Sequence, residues 1–338
     1  MTTSSSNAAV SVAAQAVSRD INNTSGARAI IAVDKLAAKV RFYDAVSHAE
    51  IKAIDTAKFP HELAISPDHR FACVSIYGMG IFGNNPEPGK SIEVYDLESM
   101  QRTGTISVEP FFAPHGMMFD ASGKLWVGCD SAAKLLCIDA ASGKIEAAWD
   151  TGSTGSHFIS MTPDAAKIYV SNKGDDLGVF DVLQRKFTTT LTLPHGSEGI
   201  TASPDGRHVV TADNASGDLH VIDAVSDRLV ARVPLDGVPP SHPKRSRLMR
   251  PRFSPDGRFL IVTNYASATV HVMDTGNLHK QTVMILAKGP MGSAFAQDNR
   301  SVLIASHDSG IVTAVDLEQR VISGWFEGGS GIETISYY

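Results

Sequence analysis

His61, His115, His157 and Glu198 each stand seven residues before the third residue of a short polar turn: Ser66-Pro67-Asp68, Asp120-Ala121-Ser122, Thr162-Pro163-Asp164 and Ser203-Pro204-Asp205. Three imidazoles and a carboxylate brought to one point form a donor set for a divalent transition metal, with zinc, iron or manganese suiting nitrogen-rich ligation. Such an ion polarises a carbonyl or activates water when one coordination position stays open. The same count reaches Met249 and Met291 in the next two units, so the polar residues occupy four consecutive units. A single histidine opening a strand reads as a structural residue; the four together read as a metal site. His195, in Leu193-Pro194-His195, follows a proline as His61 and His115 do, and a shift of about three residues would make it the fourth ligand. The turn alignment favours Glu198 and leaves His195, with Tyr77, as a candidate for proton transfer.

Further candidates lie at the ends of the neighbouring strands. Tyr77, Asn172, Asn264 and His307 close predicted strands on the same side, where the last three could touch a substrate. Arg250 suits a substrate carboxylate. Cys129 sits near the same rim and reads as an inert thiol, while His48, His69, His208, His220, His271 and His279 read as surface residues. No nucleophile elbow, phosphate loop or CxxC pair occurs in the chain.

The elements that must position these residues are legible as a repeat. An apolar pair followed by Asp recurs at Asp44, Asp96, Asp139, Asp181, Asp223, Asp274 and Asp316, mostly at a spacing near 42 residues. That period, with four short strand-like runs per unit, predicts an all-β, seven-bladed β-propeller of four-stranded antiparallel blades. Within Ser197 to Val233, Ile200 and Ala202 precede Ser203-Pro204-Asp205-Gly206, then come His208-Val209-Val210-Thr211 and Leu219-His220-Val221-Ile222-Asp223. Residues 27–56 supply three strands only, and Gly331 to Tyr338 reads as the missing innermost strand, so the two ends close the ring and leave no open edge. In a propeller the innermost strands line the axis, which places His61, His115, His157 and Glu198 at one mouth of the central channel. Two units are longer than the rest. Gly78 to Lys90 and Asp236 to Leu248 are inserts expected to lie over that same mouth.

Composition narrows the function. Hydrophobic residues make up 43% and charged residues 20% of 338 residues, an ordinary globular balance. A net charge of -6 and the lack of a basic stripe exclude a nucleic-acid surface. Lys244-Arg245-Ser246-Arg247 is too short to change that. No segment approaches the roughly 20 apolar residues of a membrane span. Residues 1–27, rich in Ser, Thr, Ala and Asn, read as a disordered tail ahead of the propeller at 28–338. Cys73, Cys129 and Cys137 are odd in number and fall in strands, which fits free thiols and a cytoplasmic setting, a secreted or periplasmic one remaining open.

Tyr169-Val170-Ser171-Asn172 and Ile261-Val262-Thr263-Asn264, each preceded by a Thr-Pro-Asp or Ser-Pro-Asp-Gly turn, resemble the repeat of the YVTN-type β-propeller family. Its relatives by fold include lactonases and a streptogramin lyase, which hold a divalent metal at the channel mouth. The resemblance implies that role for His61, His115, His157 and Glu198, although this set is richer in histidine than the carboxylate- and Asn-rich lactonase pattern. The expectation is a metal-dependent hydrolase or lyase acting on a small organic substrate. An iron-dependent oxygenase using the same ligands, and a non-catalytic interaction propeller, are the alternatives.

Overall fold

The computed structural model describes residues 27–338, apart from residues 82, 154, 194, 214 and 239–247. The described residues form seven four-stranded antiparallel sheets, numbered here as blades 1 to 7 in chain order. Blade 1 takes its innermost strand from the end of the chain: Ile332–Tyr337 pairs with Ala29–Asp34, Ile30 opposite Tyr337. The expected ring closure is therefore present. The other innermost strands are Pro60–Ile65, Pro114–Phe119, Ser156–Met161, Ser197–Ala202, Met249–Phe253 and Pro290–Phe295.

Blades stack face to face, so the middle strands of each sheet bury both faces and carry nearly continuous apolar runs. Ala29–Asp34 and Phe259–Asn264 are buried at every position. Each fully buried Ile, Val or Leu contributes about 1.5–3 kcal/mol. The outermost strands have one face on solvent and alternate, as in Lys144–Asp150. Face-to-face stacking also corrects the placing of three histidines. His48, His220 and His271 are buried, not on the surface, because third-strand and turn side chains are sandwiched between blades.

The repeated sequence signatures are turn chemistry. In the first turn of blades 2, 4, 5 and 6 a Ser or Thr hydroxyl donates to the Asp two residues on (Ser66 to Asp68 2.7 Å, Thr162 to Asp164 2.6 Å, Ser203 to Asp205 2.6 Å, Ser254 to Asp256 2.6 Å). The Asp that ends each third strand accepts from the backbone three residues later in blades 1 to 5 and 7, as Asp96 does from Ser99 at 2.8 Å and Asp316 from Gln319 at 2.8 Å.

Innermost strands of blades 2, 3, 4, 5 and 7 carry a register shift in their first half, one extra residue relative to the neighbouring strand. Blade 6 lacks it, running Met249 opposite Asn264, Arg250 opposite Thr263 and Pro251 opposite Val262 without a break. Counting back from the turn therefore goes one residue too far there: Met249 is completely buried, and Arg250 takes the axial position. The Gly78 to Lys90 insert is a β-hairpin that prolongs Phe71–Ile81 and Asn84–Asp96, with Gly78 opposite Pro88. Gly78 has φ 104 and a Cβ there would meet Glu87 O at 2.3 Å, so only glycine fits. Of the second insert and the Lys244–Arg247 cluster, residues 239–247 lie outside the described residues, as do residues 1–26 of the N-terminal segment.

Candidate functional site

The second residues of six innermost strands meet at one mouth of the channel: His61, His115, His157, Glu198, Met291 and Glu333, with Arg250 in the corresponding place in blade 6. A second tier comes from the neighbouring strands, whose last paired residues are each followed by a polar or aromatic one. These are Lys35, Tyr77, Asp130, Lys173, Tyr265 and His307. The two tiers interlock.

The four expected metal ligands separate into two groups. His61 and His115 pack edge to face at 4.4 Å between ring centroids, and their nitrogens, with a Glu62 carboxylate oxygen, form a set of donors all within 4.8 Å of one another. His115 is completely buried, and neither of its ring nitrogens has a hydrogen-bond partner; Glu62 Oε1 has only its ion pair with Arg250. Burial first, and then the cationic side chains around it, hold the His115 imidazole well below its usual pKa, so it stands neutral with one lone pair to give. Burial likewise lowers His61, against the opposing pull of Glu333.

His157 and Glu198 belong to a second group. Tyr77 donates to Asp130 Oδ2 at 2.8 Å, His157 Nδ1 stands 3.4 Å from that oxygen, and His157 Nε2 lies 3.1 Å from Glu198 Oε1. Lys173 completes the chain by pairing with Glu198 Oε2. The 3.4 Å contact is electrostatic and too poorly aligned to be a hydrogen bond. Burial works to raise the Glu198 carboxyl, but Lys173 and His157 prevail and keep it below its ordinary range. Burial and the Asp130 carboxylate drive the Tyr77 phenol in the other direction, upward. The groups touch where His115 and His157 lie 3.7 Å apart between centroids.

Glu333 supplies a third set of contacts. Its carboxylate lies 3.0 Å from His61 Nδ1, 3.2 Å from Lys35 Nζ and 3.5 Å from Arg250 Nη2. Burial alone would raise its pKa, yet His61, Lys35 and Arg250 bring it well below the usual range. Arg250 also contacts Glu62 Oε1 at 2.9 Å and stacks over Phe158 at 4.8 Å. Lys35, Lys173 and Arg250 thus face Glu62, Asp130, Glu198 and Glu333 at the mouth.

The remaining candidates stand as follows. His195 Nδ1 is 3.0 Å from Asp213 Oδ2, which orients the ring and leaves Nε2 for the partly exposed side. His307 reaches Asp308 at 3.0 Å and Glu333 at 3.8 Å. Asn172 and Asn264 are completely buried. The Asn172 amide donates to Asp176 at 2.6 Å, and Asn264 Oδ1 accepts from the Ser267 backbone at 3.2 Å, so both hold turns. Sequence reading did not single out Glu62, Glu333, Asp130, Lys173 or Lys35. The signal for Glu333 is its position: aligning Ile332-Glu333 with Pro60-His61 and Pro114-His115 by strand start, not by the following turn, places it in the ring. Cys73, Cys129 and Cys137 are free and buried.

No protein-family profile and no curated relative matches the sequence. Solved structures do. The chain superposes on hydrazine synthase from Kuenenia stuttgartiensis with a TM-score of 0.70 and 16% identity, covering 89% of this chain and 98% of that one. It superposes on the periplasmic gluconolactonase of Pseudomonas aeruginosa with a TM-score of 0.73 and 16% identity, covering 91% and 98%. At this identity the likeness is one of fold: the chain is built as these propellers are.

Proposed function

We propose that the chain is a metal-dependent hydrolase whose substrate is a small carbonyl compound, with a lactone as the first class to assay. The observation that carries the reading is His115, an imidazole buried with both nitrogens unpartnered beside His61 and Glu62. An unsatisfied buried polar atom costs about 1–3 kcal/mol, and a fold keeps such a cost where the atom has a ligand to meet. His61, Glu62 and His115 would hold one zinc, iron or manganese ion, which when bound supplies Lewis acidity toward a carbonyl oxygen. The likeness to a gluconolactonase supports the choice of lactones.

The chain's own residues divide the remaining work. Arg250, at the mouth between Glu62 and Glu333, would bind the substrate's oxygen or carboxylate, a role its two ion pairs there support. His157, held between Asp130 and Glu198, can pass a proton at Nδ1, with Tyr77 orienting Asp130. The hairpin from Gly78 to Lys90 carries Asn85, whose amide donates to Tyr77 O at 3.1 Å, and so fixes this end of the relay.

The test is metal content by mass spectrometry on untagged protein, followed by lactone hydrolysis with and without chelator. About one equivalent of metal, lost in His115→Ala with hydrolysis, is the expected result. Protein that takes up no metal on reconstitution, or hydrolyses lactones equally well after chelation, would overturn the assignment.

A further inference from the structure

A cleft of about 820 Å³ opens between blades 5 and 6, on the side of the disc that carries the first and third turns of each blade, opposite the channel mouth. Its origin is a departure from the repeat. In blades 2 to 5 and 7 the Asp ending the third strand pairs with the residue five positions on, as Asp223 with Arg228. In blade 6 Asp274 pairs with Asn277, so this turn is two residues shorter.

The missing residues have a defined job elsewhere. The fourth residue after the Asp adopts a left-handed backbone, and in blades 1, 4, 5 and 7 its side chain reaches across to the preceding blade; in blade 3 it is Gly143, which has none. His48 stacks on Phe326 at 4.6 Å, Arg185 covers Trp149 at 5.3 Å, Asp227 takes Lys167 at 2.7 Å, and Arg320 takes Asp274 at 2.7 Å. Blade 6 has no such clasp. Thr275 turns its hydroxyl back to Gly257 O of its own blade at 2.7 Å, and Gly276 follows. The cleft wall is apolar: Val210, Val221 and Val233 of blade 5, packed in one core cluster, with Phe253 and Leu278 of blade 6, and with Val230 at the rim 55% exposed.

We propose that this cleft binds a small amphipathic anion, a flat apolar body bearing one acidic group. The volume is that of a small-molecule site, and walls of this composition with a few polar groups at one end are what such sites have. Arg207, His208 and His279 supply the basic groups of the lining. The two carboxylates beside them are engaged by their own turns. Asp205 accepts from Ser203 and the Arg207 backbone, while Asp256 accepts from Ser254 and the Arg258 side chain at 2.6 Å. The Arg207 side chain keeps only a 3.7 Å contact to Asp205 and is 78% exposed, so it can turn to an incoming anion.

Anilinonaphthalene sulfonate has the required chemistry, and its fluorescence reports binding to the native full-length chain. Saturable binding of about one probe per chain is expected. Ala231→Phe, on an exposed outer-strand position that lines the cleft, should weaken it by about tenfold. Arg207→Gln should weaken it several-fold and reduce its dependence on salt. Absence of saturable binding, or equal affinity in Ala231→Phe judged folded by circular dichroism, would overturn the proposal. The readout involves neither metal nor hydrolysis, so its outcome is independent of the channel-mouth reading.

Discussion

Replacing His115 by Phe should make the metal-free protein more stable and the metal-loaded protein less so. The ring contacts of His115 to His157 (3.7 Å), His61 (4.4 Å), Phe158 (4.9 Å) and Tyr77 (5.3 Å) are all open to a phenyl ring. What disappears is the desolvation of two unpartnered nitrogens, about 1–3 kcal/mol each. The larger ring opposes this by about 1–3 kcal/mol of overpacking. The net expectation for His115→Phe is a gain of about 1–3 kcal/mol, read as a rise in the urea midpoint at unchanged slope in the presence of chelator. A metal bound to the folded wild type at a thousand times its dissociation constant adds about 4.1 kcal/mol, and the variant lacks this, so the order reverses when metal is supplied. A fold that had kept His115 for packing alone would give a variant that is less stable in chelator and indifferent to metal. That pattern would refute the reasoning.

Other consequences can be checked by the same denaturation experiments. Arg250→Met leaves Glu62 and Glu333 buried beside each other and should cost about 3–5 kcal/mol, most of it recovered when Glu62→Gln is added. Deleting residues 331–338 removes the innermost strand of blade 1 and bares Ala29–Asp34; circular dichroism and size-exclusion chromatography should show loss of cooperative unfolding and aggregation. Burial lowers the pKa of His271, so the unfolded chain protonates first on acidification: stability is full above pH ~6.5 and falls below it, by about 1.4 kcal/mol per pH unit, down to the folded value. His271→Phe should flatten that slope by one proton's worth, seen as a smaller loss between pH ~7.5 and ~5.5. An unchanged slope would mean that His271 is protonated in the folded state.

The ring was legible because each blade repeats turn chemistry that needs no partner beyond its own residues. The Ser-Pro-Asp and Asp-x-x-Ser turns close local hydrogen bonds, so their spacing survives in the chain as a period. The metal-ligand candidates were legible in part for the same reason, since a residue at a fixed distance from a repeated turn must occupy a repeated place. The count failed at Met249, where the strand omits its extra residue, and it never reached Glu333, whose strand ends the chain with no turn after it.

The sequence by itself determined the seven-fold repeat, the pairing of the two chain ends, and the confinement of His61, His115, His157 and Glu198 to one end of the axis. Only the tertiary structure decided which of them share a site. Glu62 joins His61 and His115, while Asp130 and Lys173 draw His157 and Glu198 into a separate chain of contacts. The physical reason is that ligand sets and ion pairs are fixed by approaches of a few ångströms between side chains from different blades. Repeat spacing sets the height of a residue along the axis but not its neighbour across the channel. The inter-blade cleft follows the same division: the short turn at Asp274 is visible in the chain, but the cleft beside it is closed by side chains of both blade 5 and blade 6.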